Sequence, residues 1–413
     1  MSTVATPETR AAPPDQRKRR IELPPWAEKA AIPVFFVVVA LFPFTQESGG
    51  ALLDDATLAL AYMVMALGLN IIVGFAGLLD LGYVAFFAIG AYTMGWLGSG
   101  FFSAVNDEKG IHIAVGTFAA SQPGIHMNFI LVALAAIVFT TIAGMIIGLP
   151  TLRLRGDYIA IVTLAFGEIV GRLAVNGDEV RIASIPLIGG PLGNFFGEQQ
   201  TFTAGRQGIT PVDKITPPFG ETFTSLNLRP WFWTALVLVA IVLFVNFRLR
   251  DSRLGRSWIA LREDEVAAVS MGVPAVKTKL LAYGTGAAFG GMSGAFLGSY
   301  LNTVNADQFQ FYFSILVLGM VILGGLGSIW GVILGAIALS FINNWFIPDV
   351  ANELPQKLGL DFDMTQITFG IYGFLLVIMM ILRPQGLLPE RRREAEMTHA
   401  DEHAEESVFS ARA

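Results

Sequence analysis

Ten apolar runs, spanning roughly 30–44, 53–73, 78–97, 128–149, 158–175, 231–247, 280–301, 311–326, 329–347 and 367–382, divide the chain into hydrophobic blocks joined by polar stretches. Most approach the roughly 20 residues a helix needs to cross a bilayer core, and the first is somewhat short. Backbone polar groups inside lipid must be satisfied within the segment itself, so each run is predicted to be helical. The pattern predicts an all-α, polytopic integral membrane protein of about ten transmembrane helices with both termini on one side.

One polar stretch departs from the rest. Between the uncharged runs 231–247 and 280–301 lies Arg248 to Lys279, in which 11 of 32 residues are charged. Within it, Ser257 to Met271 reads as one short amphipathic helix, with Trp258, Leu261, Val266 and Val269 near one face and Arg262, Glu263 and Asp264 on the other. Gly272 can adopt the left-handed conformation that ends a helix, and Pro274 forbids its continuation. Such a helix suits docking in another protein's groove. A solvated loop that merely joins two spans would carry the same charge pattern.

Glycine marks further features. In lipid, helices approach closely through small side chains, and Gly286, Gly290, Gly294 and Gly298 recur every four residues, as do Gly327, Gly331 and Gly335. Such stripes serve packing or line a path. The stretch GFAGLLDLG, with Gly74, Gly77, Asp80 and Gly82, predicts a broken or re-entrant helix and a candidate substrate pathway, because irregular backbone at membrane depth must be buried or face a cavity. GGLGSIWG at 324–331 is a loose echo of it.

Composition agrees with the pattern: 54% of the 413 residues are hydrophobic and 15% charged, against the roughly one quarter usual in soluble domains. The chain has no cysteine, which excludes disulfide and thiolate chemistry, and its four histidines (His112, His126, His399, His403) all lie outside the apolar runs, so no intramembrane histidine metal site is expected. A G-x-x-x-x-G-K-[ST] phosphate loop is absent, so ATP hydrolysis by that route would need another chain.

The positions of the basic residues orient the chain. If both termini are cytoplasmic, 20 of the 27 Lys and Arg residues fall in cytoplasmic segments and 6 in outer ones, with Arg172 inside a span. This places 1–29 as a disordered cytoplasmic tail and 30–384 as a membrane domain with a long outer loop at 176–230 and a cytoplasmic loop at 248–279. A C-terminal cytoplasmic tail follows at 385–413. A cleaved signal peptide is disfavoured, since the first apolar run begins near Ala30 and no small-residue cleavage site follows it. The outer segment 98–127 and the Gly- and Pro-rich 176–230 predict turns and irregular structure. Few ionisable residues enter the spans, where each costs several kcal/mol. Glu168 and Arg172, at i and i+4 with the acid first, predict an intramembrane ion pair.

Four stretches together carry a resemblance: GLNIIVGFAGLLDLGYVAFFAIGAY (68–92), LPTLRLRGDYIAIVTLAFGEIVGRL (149–173), GRQGIT (205–210) and DSRLGRSWIALREDEVAAVSMGVPAVKTKLLAY (251–283). The chain resembles the membrane permease subunits of bacterial ATP-binding-cassette importers for branched-chain amino acids, specifically the larger M-type subunit. The resemblance implies an inner-membrane transport subunit without an ATPase site or cofactor of its own. Its implied partners are a second homologous permease, two ATP-hydrolysing subunits and a periplasmic binding protein. Such permeases dock on the ATPase through a cytoplasmic coupling helix with an E-A-A-x-x-x-G motif. Ala267, Ala268 and Gly272 keep its A-A-x-x-x-G spacing, while Glu265 stands one residue further back than the motif has it. The rival reading is an ion-coupled secondary transporter of a small polar solute, which would need a partnered titratable site in the membrane. A membrane enzyme ranks behind both, because no nucleophile with a base is visible.

Overall fold

The computed structural model describes residues 36–388 apart from 38, 107, 117–118, 153, 155, 186–188, 218–220, 352–366 and 384. The predicted tail 1–29, the start of the first run and most of the C-terminal tail lie outside the described residues. Two units are divided after Thr45. In the first, residues 36–37 and 39–41 are helical and Phe42–Phe44 form a 3-10 turn.

The second unit is mostly helical. Its helices are α1 (Ala51–Leu69), α2 (Val84–Leu97), α3 (Phe129–Thr151), α4 (Asp157–Asn176), α5 (Gly189–Phe196), α6 (Arg229–Asp251), α7 (Arg253–Glu263), α8 (Glu265–Ser270), α9 (Ala275–Tyr300), α10 (Phe311–Gly324), α11 (Ile329–Phe341) and α12 (Thr368–Leu382). Among the described residues, five helical stretches are long and apolar enough to cross a membrane: Ala51–Phe75, Phe129–Thr151, Tyr158–Asn176, Arg229–Asp251 and Ile329–Pro348. Shorter apolar helices accompany them at Val84–Leu97, Phe311–Gly324 and Gly370–Leu382. The chain is a multi-pass helical membrane protein.

At the centre stands α9, packed against α1, α2 and α3. Its glycine stripe makes this possible. A Cβ on Gly294 would lie 2.2 Å from the Phe87 carbonyl oxygen of α2, and one on Gly286 would lie 2.5 Å from Ile72 Cγ1. From the other side, a Cβ on Gly90 of α2 would sit 2.1 Å from the Gly291 carbonyl oxygen. Backbones therefore meet directly along this seam, and Ser293 Oγ donates to the Ala61 carbonyl across it at 2.8 Å. The second stripe packs in the same way, Gly335 against the Met320 carbonyl oxygen of α10. Both stripes are packing surfaces. The outward faces of α3, α6 and α12 keep apolar side chains exposed, among them Leu134 and Val138 on α3, Val237 on α6 and Phe374 on α12. In a soluble protein these faces would be a liability, whereas lipid solvates them.

Several expectations need correction. The chain is not strictly all-α: β1 (Gly98–Ser99), β2 (Ile111–Ile113) and β3 (Ile125–Met127) form a small sheet, β1 antiparallel and β2 parallel to β3. Extended backbone is tolerated there because the segment lies between spans, outside the hydrocarbon. Likewise 176–230 contains the two-turn helix α5, whose Phe196 packs with Phe102, Val105 and Ile182 in a local core. The run 78–97 is helical only from Val84, and the run 329–347 becomes π-helical from Ile342.

His126 of β3 ties these inter-helix segments together. Buried at 1% exposure, it bonds the Asp213 carboxylate through Nδ1 at 2.7 Å and stacks on His112. Asp213 in turn donates its N–H to the Gly98 carbonyl, and its own carbonyl accepts from Ser299 Oγ. Burial works to lower the His126 pKa, but the hydrogen bond and charge of Asp213, with the Pro123 carbonyl, outweigh it and raise the pKa above its ordinary value. A raised histidine pKa contributes stability that is full below the unfolded-state value, about 6.5, and is lost as pH rises through the folded value. Thermal unfolding in detergent is therefore expected to show a lower melting temperature at pH 8.5 than at pH 5.5. Asp213→Asn should remove the part of that difference that belongs to His126, and an unchanged pH dependence in this variant would contradict the assignment.

Candidate functional site

The charged island folds as two helices where its pattern predicts one. After α7 the chain turns at Asp264 (φ −151°, ψ 107°), whose side chain accepts hydrogen bonds from the N–H groups of Val266 and Ala267 at 2.9 and 3.0 Å and so caps α8. The aspartate that pattern reading places on the polar face of a continuous helix is a helix start instead. Gly272 ends the element as expected: its φ of +89° is left-handed, its N–H donates to the Val269 carbonyl, and a Cβ there would meet nothing within 4 Å.

Two contacts hold the island against α9. Trp258 is fully buried and its Nε1 donates to the Thr278 carbonyl at 2.7 Å. Lys279, itself buried, reaches Glu265 with Nζ 2.6 Å from Oε1. Glu265 thus anchors α8 from its inner side. The alanine pair divides: Ala268 is buried at 6% exposure, while Ala267 faces outward. Around Ala267 stand Val266, Val269 and Met271, the last 86% exposed, an apolar patch on an otherwise charged loop. Of the two alanines, only Ala267 is exposed.

The predicted break is present. From Asn70 to Phe75 the backbone widens into π-helical turns, and residues 76–83 are irregular before α2 begins. Three glycines let other backbones and side chains reach it. Gly74 sits where a Cβ would be 2.1 Å from Asn70 Oδ1 and 2.6 Å from the Gly327 nitrogen. Gly77 has φ +68° and lies against Arg262, whose Cγ would be 2.4 Å from a Cβ. Gly82 rests on α4, with the Thr163 carbonyl oxygen 1.9 Å from where its Cβ would be. Asp80 is buried, and its Oδ1 accepts from the Gly82 N–H at 2.8 Å, so the carboxylate folds the loop upon itself. In this conformation Gly74, Asp80 and Gly82 are buried, while Gly77 is exposed on one side and covered by the Arg262 stem on the other.

Three residues outside the predicted set organise the break. Arg262 of α7 donates from Nη1 to the Gly74 carbonyl at 2.5 Å. Asn70, fully buried, accepts from the Gly327 N–H at 2.9 Å and joins the break to its echo at 324–331. Thr163 accepts at Oγ1 from the Leu81 N–H at 3.1 Å. Asn70 has a visible signal, a lone amide in an apolar run. Arg262 is only one of many basic residues in its loop. The Glu168 and Arg172 pair forms on α4, with Nε 3.9 Å from Oε2, and both side chains are exposed, 51% and 80%. Among the described residues, no group of three or more His, Cys, Asp or Glu side chains is arranged to hold a metal ion.

These contacts form a continuous series. An apolar patch on α8 is fixed through Glu265 and Lys279 to α9, and α7 carries Arg262 to a break that touches α4 and the loop before α11. Hydrogen bonds and chain continuity thus join the exposed patch of α8 to the break.

Residues 51–382 match the family described as branched-chain amino acid transport system / permease component. The chain is 35% identical over 385 residues to the high-affinity branched-chain amino acid transport system permease protein LivM of Escherichia coli K12, covering 92% of this chain and 79% of that protein. It is 22% identical over 346 residues to the corresponding permease protein LivH of Salmonella typhimurium, covering 81% and 93% respectively. The fructose import permease protein FruG of Bifidobacterium longum is 24% identical over 260 residues, 53% of this chain and 74% of that protein. No solved structure matches the chain.

Proposed function

Because the chain belongs to the family of branched-chain amino acid transport permease components, we propose that it is the membrane-spanning permease subunit of an ATP-binding-cassette importer that moves branched-chain or related neutral amino acids across the bacterial inner membrane. The observation that carries the reading is the family match over residues 51–382. Likeness to both LivM and LivH supports a pairing with a second, homologous permease. Two ATPase subunits and a periplasmic binding protein complete the assembly, with the chain's own lack of a phosphate loop in support. The distribution of basic residues supports ten spans, both termini in the cytoplasm and the loop 176–230 outside. The ion-coupled alternative finds no support in the relatives named above.

In this reading ATP-driven motion enters at α8 and reaches the membrane through Arg262, and substrate crosses near the break at Gly74, Gly77, Asp80 and Gly82. Support comes from the exposed patch on α8 and from the bonded route behind it.

Proteoliposomes test the assignment: uptake of L-leucine is expected only with the ATPases, ATP and the loaded binding protein. Uptake by this chain alone, driven by a proton or sodium gradient, would sink it. Within the same assay, Ala267→Glu is expected to lower uptake by about tenfold, since an uncompensated carboxylate would enter the docking contact, while the chain still folds and inserts. Ala268→Glu should instead reduce the yield of folded chain, because that side chain faces inward. Equal behaviour of the two variants would refute the orientation assigned to α8.

A further inference from the structure

We propose that Glu168 and Arg172 on the outward face of α4 form a transient binding site for the zwitterionic head of an aliphatic amino acid, a site that rests on the importer reading above. Both charges stand deep in an apolar helix. The crossing segment Tyr158–Asn176 has 19 residues; at a rise of about 1.5 Å per residue, Glu168 is within about 2 Å of its midpoint and Arg172 within about 8 Å. Neither side chain is turned into the protein, for both are more than half exposed. Hydrocarbon solvates neither group, and the shorter glutamate at the midpoint cannot reach an interface. The face they occupy is therefore turned toward water or toward the second permease of the importer reading, and we take the path to run along it.

Three details fit this path to an amino acid. First, the pair is only loosely engaged: 3.9 Å between Nε and Oε2 exceeds hydrogen-bonding distance, so both groups keep their capacity for a ligand. Second, the charges are complementary to a zwitterion. Arg172 presents a guanidinium fork to a carboxylate, and Glu168 presents a carboxylate to an ammonium group. A ligand of this class exchanges partners with the pair and leaves the net charge at the membrane centre at zero throughout. Third, Ile161, Ile169 and Leu173 are exposed beside the pair and offer an apolar surface to an aliphatic side chain.

The opposite face of α4 connects the site to the rest of the mechanism. Thr163 and Gly167 rest on the loop at Leu81 and Gly82, and the Ala174 carbonyl accepts from Thr203 Oγ1. Movement of the break would therefore shift α4 and open or close access to the charged face.

The test uses the assembled importer in proteoliposomes and exploits the absence of cysteine from this chain. Ala165→Cys and Ile169→Cys, both on the proposed face, are expected to react with a charged, water-soluble methanethiosulfonate reagent, and L-leucine delivered by the binding protein should slow that reaction severalfold. Failure to react, or reaction indifferent to leucine, overturns the site. In parallel, Glu168→Gln and Arg172→Gln are each expected to lower leucine uptake by about tenfold, while ATP hydrolysis stimulated by the loaded binding protein persists. Uptake within twofold of the unaltered complex would also overturn it. Should the unaltered complex itself show no ATP-driven leucine uptake, the importer reading fails, and that outcome is distinct from a working importer indifferent to the pair.

Discussion

Replacing Arg262 by alanine is expected to lower ATP-driven uptake by roughly tenfold or more, the effect of losing one charge-assisted hydrogen bond of about 1.5–3 kcal/mol between moving parts. Its Nη1 bonds the Gly74 carbonyl, and its stem fills the space that Gly77 leaves by lacking a Cβ. Alanine would remove both the bond and the stem. The apolar patch on α8 would be untouched, and α8 would stay fixed to α9 through Glu265 and Lys279. ATPase subunits should therefore still bind, and hydrolysis should continue without transport. Arg262→Lys keeps the charge but loses the fork, and intermediate uptake is expected. Uptake and hydrolysis measured on the same vesicles decide the matter: an Arg262→Ala complex that transports normally would remove the residue from the coupling route. Gly77→Leu offers an independent check from the other side of the contact. A leucine there would collide with Arg262 and would also have to adopt a positive φ, so it should impair transport comparably.

The second large effect concerns folding. Gly294→Leu is expected to destabilise the membrane domain by roughly 3 kcal/mol or more, because the added Cβ alone would stand 2.2 Å from the Phe87 carbonyl oxygen. The obstacle is main chain, and no side-chain rotation can relieve it. The central helix α9 would have to separate from α2, breaking the seam that also includes Gly90, Gly291 and the Ser293 bond. Gly373→Leu on α12 is the control. A Cβ at that position meets nothing within 4 Å, so its effect should stay within about 0.5 kcal/mol. Monodisperse yield and thermal unfolding in detergent compare the two. Similar losses for both variants would show that bulk in a glycine-rich helix is at fault rather than this contact.

Much of the architecture can be read locally, for definite reasons. A span announces itself because every residue facing lipid or a packed neighbour must be apolar, and α3, α4 and α6 lie within a few residues of their predicted limits. The break at 70–83 is legible because three glycines and an aspartate interrupt an apolar run, a combination that no continuous helix has use for. The division of the island is harder to see. Asp264 has the same composition signal whether it faces water on a helix or caps the next one, and only the turn of the backbone distinguishes these. The same ambiguity hid the inward face of Ala268, since an alanine at an amphipathic boundary fits either side.

The long-range contacts differ in kind. Arg262 meets Gly74 across 188 residues and Asn70 meets Gly327 across 257. Nothing in the local pattern around Arg262 separates it from its basic neighbours in the loop. By itself, the sequence determined where helices can cross, where the chain must stop being helical, which segments carry charge and which helix faces are small enough to touch. Those properties follow from each residue's own solvation and conformational preferences. Tertiary structure alone decided that Arg262 meets the break, that the break meets its echo through Asn70, that Ala267 points out while Ala268 points in, and that the Glu168 and Arg172 face of α4 is left uncovered. These are choices of partner, and a partner is selected by how helices distant in sequence pack, since hydrophobicity states that a surface must be buried without stating against what.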